Sequence, residues 1–186
     1  MANVKAEQHQ ASGWEGILDK GEKILWQGRP DGKVALTPAT IGTLGFGLLF
    51  AGFALFWMLM AAQAGGYFWM FGLIHFSVGL SLALIPIYWG SFKRRHSWYT
   101  LTSRRAFIAS DLPFVGKKLI SYSINKNSPL ELIEGNPGSV HFAQREKRGK
   151  NGTYTVNVGF ERIADSKAVY RMMRDIQIQH RTEETA

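Results

Sequence analysis

The side chains in this sequence able to move a proton, hold a metal or attack a substrate are scattered rather than grouped. Its five histidines, His9, His75, His96, His141 and His180, include no two at a metal-ligand spacing on one helix. The 186 residues contain no cysteine, which excludes thiolate metal sites, disulfides and cysteine nucleophiles together. Glu131 and Glu134 come nearest to an acid/base pair, but on a strand their odd separation sends the two carboxylates to opposite faces. No Gly-x-Ser-x-Gly, phosphate-loop or dinucleotide pattern occurs. The glycines Gly42, Gly45, Gly47 and Gly52 sit in an apolar run with no strand before it. The expectation is a protein that is not an enzyme and carries no metal or cofactor.

What remains is one histidine in an unusual place and two groups of cations. His75 lies in a long stretch without charge, where an imidazole could ligate a haem or chlorin, or make a polar contact with a neighbouring helix or another subunit. Ligation would make the protein a pigment- or haem-associated subunit, or a membrane enzyme. The cations are Lys93, Arg94 and Arg95 in one run, and Arg145, Lys147, Arg148 and Lys150, expected in one loop. Both groups suit anionic lipid headgroups or an acidic protein partner, at about 1 kcal/mol for each Lys or Arg close to an anionic surface. Residues 1–38 balance five Lys or Arg against five Asp or Glu, whereas residues 93–186 hold 17 against 9. The whole net charge of +8 therefore belongs to the C-terminal part. Nucleic acid is the competing reading of such charge, but no recognisable nucleic-acid module accompanies it, so membrane lipids and a protein partner are expected instead.

The element that must position these groups is the uncharged stretch itself. Ala39–Ala62 and Tyr67–Gly90 are 24 residues each, without one Asp, Glu, Lys or Arg. As helices each would reach about 36 Å, enough for a hydrocarbon core of about 30 Å. Residues 37–92 thus read as a transmembrane hairpin with a four-residue turn, Gln63 to Gly66. Thr37 and Pro38 supply an N-cap and a first-turn proline. Trp57, Tyr67, Phe68 and Trp69 near the turn, and Tyr88 and Trp89 at the far end, form interfacial belts. Gly47 with Ala51, and Ser77 with Ser81, offer small residues at four-residue spacing for close helix contact. The uncharged turn, set against Lys93-Arg94-Arg95-His96, predicts both termini in the cytoplasm and a multi-pass protein of the inner (plasma) membrane.

The flanks divide into a loose tail (1–13), an N-terminal strand segment (14–36) and a domain over 93–182. Trp14, Ile17 and Leu18 lie at helical spacing, and Lys23–Gly28 predicts a strand whose partners must come from beyond residue 93. Further strands are expected at Ser97–Thr102, Arg105–Ser110, Lys117–Ile124, Leu130–Glu134, Ser139–Ala143 and Thr153–Glu161, with a basic loop at 149–152. A helix from Ser166 carries Val169, Met172, Met173 and Ile176 as its apolar stripe.

Four stretches carry a resemblance. Tyr99-Thr100-Leu101-Thr102-Ser103-Arg104-Arg105 resembles a Y-x-L-T-N-x-R signature that follows a membrane hairpin, with Ser103 in place of Asn. Gly21-Glu22 before Ile24-Leu25-Trp26-Gln27-Gly28-Arg29-Pro30 is similar to an opening G-E-x-I-L-W-x-G-x-P, and Gly138-Ser139-Val140 and Gly159-Phe160 add to it. These are marks of the pleckstrin-homology-like domains of bacterial membrane proteins, some of which look like helpers in assembling membrane photosynthetic complexes. The resemblance implies an α+β membrane protein, its hairpin inserted after a first strand and followed by an antiparallel β-barrel or sandwich with a C-terminal capping helix. It implies a scaffold for lipid headgroups or proteins, with Trp26, Gly28, Pro30, Tyr99, Leu101, Thr102 and Arg105 as structural signature residues. Thr102-Ser103-Arg104-Arg105 also echoes part of the carbamoyl-phosphate run of aspartate carbamoyltransferases, but the accompanying His-Pro-x-Gln run is absent.

Overall fold

A computed structural model describes residues 13–113, 115–149 and 152–185, with side chains to residue 180. The expected tail and Lys150 lie outside the described residues, Gly13 excepted. The chain forms two compact units, one of residues 31–96 and one that joins residues up to Pro30 to those from Ser97 onward.

The 31–96 unit is a helical hairpin. Helix α1 spans Pro38–Gln63 and opens on a capping box, in which the Thr40 amide donates to Thr37 Oγ1 (3.2 Å) and the Thr37 amide to Thr40 Oγ1 (2.7 Å). Gly65 and Gly66, with φ of 79° and 76°, reverse the chain in a conformation that side chains resist. A 3-10 turn at Phe68–Phe71 then leads into α2, Gly72–Arg95. Both helices are long and apolar enough to cross a membrane by length and composition, and large apolar side chains such as Phe46, Leu49, Phe53 and Ile74 point outward. α2 runs past the expected end at Gly90, because no helix breaker follows and Lys93, Arg94 and Arg95 suit the negative C-terminal end of the helix dipole.

The helices meet through small residues. Gly47, Ala51, Ala54 and Met58 are buried on α1, against Gly72, Gly79 and Ala83 on α2. A Cβ on Gly47 would lie 2.5 Å from the Ala83 nitrogen, and one on Gly79 would lie 2.6 Å from the Ala51 nitrogen. Ser77 and Ser81, expected on this seam, are exposed on α2 and line an outer groove with Pro86. They stand two residues from Gly79 and Ala83, about 200° round the helix, which turns them away. Gly79→Ile is expected to cost the hairpin on the order of 2–3 kcal/mol, measured by denaturant unfolding in detergent. Gly52→Ile, at a position with open space beside it, should cost little. Equal losses would show that the glycine seam does not set the helix separation.

The second unit is α+β. β1 (Ile24–Gly28), β2 (Ser97–Thr102), β3 (Arg105–Leu112) and β4 (Gly116–Ser123) form an antiparallel sheet in that order. β5 (Glu131–Ile133), β6 (Gly138–Gly149) and β7 (Gly152–Ile163) form a second, and α3 covers Ser166–Thr185. β1 joins β2 across the intervening helices, with Trp26 opposite Leu101 and Gly28 opposite Tyr99. One core serves all three layers: Tyr99, Leu101 and Ala106 from the first sheet, Val140, Phe142 and Phe160 from the second, and Val169, Met173 and Ile176 from α3. Phe160 is its hub, with ring centres at 4.8 Å from Tyr99, 4.9 Å from Phe142 and 5.4 Å from Trp26. Trp26 is half-buried at the edge of this core.

The expected barrel does not close. Among the described residues the two sheets share no ladder. The link after β4 contains Pro129, which cannot donate to a ladder, and β5 has three residues, all paired to β6.

Candidate binding cleft on the first sheet

Side chains alternate across a strand, so the first sheet has a face turned away from the core. Trp98, Thr100, Thr102, Arg105, Phe107 and Ala109 lie on it. The segment before β1 crosses this face: Trp14 packs edge-on against Phe107 at 5.1 Å, leaving Phe107 2% exposed.

Glu22 fastens that segment. Its side chain is fully buried. Oε1 accepts from Thr102 Oγ1 (2.5 Å) and Arg105 Nε (3.2 Å), and Oε2 from Arg105 Nη2 (2.5 Å) and the Asp19 amide (2.9 Å). Arg105 also meets the Asp19 carboxylate at 3.3 Å and donates to the Ile17 carbonyl at 3.2 Å. Burial alone would raise the Glu22 carboxyl; hydrogen bonds from Arg105, Thr102 and the Asp19 amide, with the Arg105 charge, hold it down at about 2. Thr102 and Arg105 of the signature are thus the receptor for Glu22. Sequence reasoning did not single out Glu22 as a site residue, although a carboxylate placed immediately before an apolar strand was the available signal.

Beyond Trp14 the same face opens into a cleft of about 800 Å³. Its floor holds Thr100, 4% exposed, whose hydroxyl accepts from Gln27 Nε2 at 3.3 Å. Trp14, Ile17, Trp98 and Leu119 supply apolar walls. The Arg29 guanidinium lies 4.7 Å above the Trp98 ring centre, and Asp111, Lys117 and Lys118 complete the rim. Asp111 faces Lys117 in the β3–β4 register.

The other signature residues are structural. A Cβ on Gly28 would come within 2.5 Å of the Trp26 ring, so glycine admits that indole. Pro30 and Leu101 are buried, and Tyr99 Oη accepts from the Glu161 amide at 3.4 Å.

The cationic groups separate. Arg94 donates to the carbonyls of Asp31 (3.0 Å) and Lys33 (2.8 Å), and Arg95 to that of Gly32 (3.1 Å), so both hold the chain ahead of α1. Lys93 is exposed in the same turn. Arg145, Lys147 and Arg148 are not in a loop as expected. They lie on β6, because its ladder with β7 continues to the pair Gly149 and Gly152. From Gln144 onward this ribbon projects with its β6 side chains exposed. Cross-strand partners share a face, which puts Arg145 with Val156 and Lys147 with Tyr154 on one side, and Glu146 and Arg148 with Thr155 and Thr153 on the other.

The carboxylates expected apart are apart: Glu131 meets His141 Nδ1 at 3.2 Å, and Glu134 meets Lys167 at 3.0 Å. His75 is exposed on α2 and contacts α1 through Phe50, with ring centres 6.5 Å apart. Its Nδ1 lies 3.3 Å from the carbonyl of Phe71, the residue just before α2. Among the described residues no three metal-ligating side chains cluster.

No protein-family model, curated protein or solved structure matches this chain.

Proposed function

We propose that this protein is a non-enzymatic, membrane-anchored binding module of the inner membrane. Its pleckstrin-homology-like domain binds anionic lipid headgroups at the cytoplasmic surface, in the service of membrane-complex assembly. The hairpin of two apolar helices is the anchor, and the charge contrast between the turn at 63–66 and Lys93 to Arg95 favours both ends in the cytoplasm. The observation that carries the reading is the β6–β7 ribbon. One face joins Arg145 and Lys147 to Tyr154 and Val156, cations beside an aromatic anchor, which is the composition an anionic lipid surface selects.

Full-length protein in vesicles tests it. Trypsin cleavage at Lys147 should be slowed when anionic lipid is added to phosphatidylcholine, and Arg145→Gln should weaken that protection about fivefold, the worth of one cation at such a surface. Equal cleavage with and without anionic lipid would refute lipid binding, and protection appearing only with native membrane extract would assign the ribbon to a protein partner. A tag at Gly65 should be reachable from outside intact cells, and one after His96 should not.

A further inference from the structure

The cleft on the first sheet is separate from the ribbon, and its polarity runs in one direction. Trp98 faces Ala109, Ala109 faces Leu119, and the guanidinium of Arg29, just past the end of β1, lies over Trp98, so these four residues form one row across the strands. Ala109 is the small member of the row. A hollow therefore opens between the Trp98 indole and Leu119, walled by Trp14 and Ile17. The β1–β2 end carries hydrogen-bond donors: Arg29, the Gln27 amide, and the hydroxyl of Thr100, which accepts from Gln27 and keeps its own proton to donate. The β3–β4 end of the row, Ala109 and Leu119, is apolar. One row further out Asp111 faces Lys117 and the two charges cancel, while Lys118, opposite Ser110, carries its charge on the other face of the sheet. One uncompensated cation is left, Arg29, and stacking on Trp98 holds it over the cleft rather than sweeping through solvent.

We infer that this cleft binds an unbranched aliphatic monocarboxylate, a fatty acid of medium chain length. Its carboxylate meets the Arg29 fork, with Thr100 and Gln27 as further donors, and its chain lies over Ala109 between Trp14, Ile17, Trp98 and Leu119. An arginine fixed over a ring presents two parallel N–H groups to the two coplanar oxygens of a carboxylate. One carboxylate also neutralises the one cation left on the rim. The distance fits the same ligand, because β1 and β4 are three strand spacings apart, about 14 Å, and only a chain of several carbons anchored at Arg29 reaches Leu119. The volume of about 800 Å³ falls in the range that holds a small organic ligand. A short acid forfeits the apolar walls, and an alcohol of the same length forfeits Arg29.

The chain's six tryptophans make the test direct. Full-length protein containing 5-fluorotryptophan, held in phosphatidylcholine nanodiscs, is titrated with decanoate, decanol and acetate while fluorine resonances are followed. Decanoate should shift Trp14 and Trp98 and leave Trp57, Trp69 and Trp89, which belong to the hairpin unit, in place. Decanol and acetate should bind at least about tenfold more weakly, each lacking one half of the recognition. Arg29→Gln, on an exposed side chain, should weaken decanoate about tenfold and leave decanol unchanged. Ala109→Phe, which fills the hollow, should remove decanoate and decanol binding alike. Shifts at all six tryptophans together would mean partition into lipid, and decanol or acetate binding as well as decanoate would mean that head and tail are not read together. Either result, or decanoate bound normally by Arg29→Gln or by Ala109→Phe, overturns the inference. The trypsin experiment on the ribbon is unaffected by these outcomes.

Discussion

Arg105→Met is expected to destabilise the β-rich unit by about 3–5 kcal/mol at neutral pH, because it leaves the fully buried Glu22 carboxylate without its charged partner. A domain of ordinary stability has only about 5–15 kcal/mol in total, so a large unfolded fraction should appear. The loss should depend on pH in a defined direction. Glu22 has a folded-state pKa lowered from 4.5 to about 2, so its ionic contribution is fully present above about 4.5 and is lost as pH falls toward 2. After a discount for the solvent that reaches Arg105, 22% exposed, this contribution is on the order of 2 kcal/mol. Wild type and variant should therefore differ most at pH 7 and converge as the pH approaches 2. Urea midpoints of the full-length protein across that range measure it. A constant difference across the range would show that Arg105 acts through packing on Phe107, 5.1 Å away, and not through Glu22.

Gly159→Ala is expected to cost about 3 kcal/mol or more, an unusually large effect for one methyl group. A Cβ there would collide with the Val140 carbonyl oxygen and lie 2.6 Å from His141 Cα. Both obstacles are backbone, so no side-chain rotation relieves them. Relief requires β6 and β7 to move apart beside the bulge between His141 and Ala143, next to Phe160 at the hub of the core. Gly13→Ala, with open space around it, should be near neutral. A drop in urea midpoint confined to Gly159→Ala, with secondary structure retained at low urea, is the expected pattern. Equal midpoints would show that the ladder yields more easily than its geometry implies.

What the sequence determined by itself was whatever depends on neighbours in the chain. Two uncharged runs of 24 residues leave no amphipathic face for a water-soluble layer, so two long apolar helices followed directly. Thr37-Pro38 located the start of α1 because a cap is made within one turn, and alternation located most strands to within a residue or two. That β1 pairs beyond the hairpin was legible too, since no other strand precedes it; that its partner is β2 came from the tertiary structure.

Tertiary structure decided everything that depends on distant residues or on rotation about an axis. Glu22 reads as one more surface carboxylate until Thr102 and Arg105, 80 and 83 residues on, close over it. Gly79 and Ser77 look alike as small helix residues, and only the rotation of α2 against α1 makes one a seam and the other an outer surface. Arg94 and Arg95 looked available for headgroups, yet the backbone at 31–33 takes their donors. Arg145, Lys147 and Arg148 became strand residues because the ladder between β6 and β7 runs on to Gly149 and Gly152 and satisfies their backbone groups. The cleft was least legible of all, because its walls come from the segment before β1 and from β2 and β4, and a concavity exists only once those segments lie side by side.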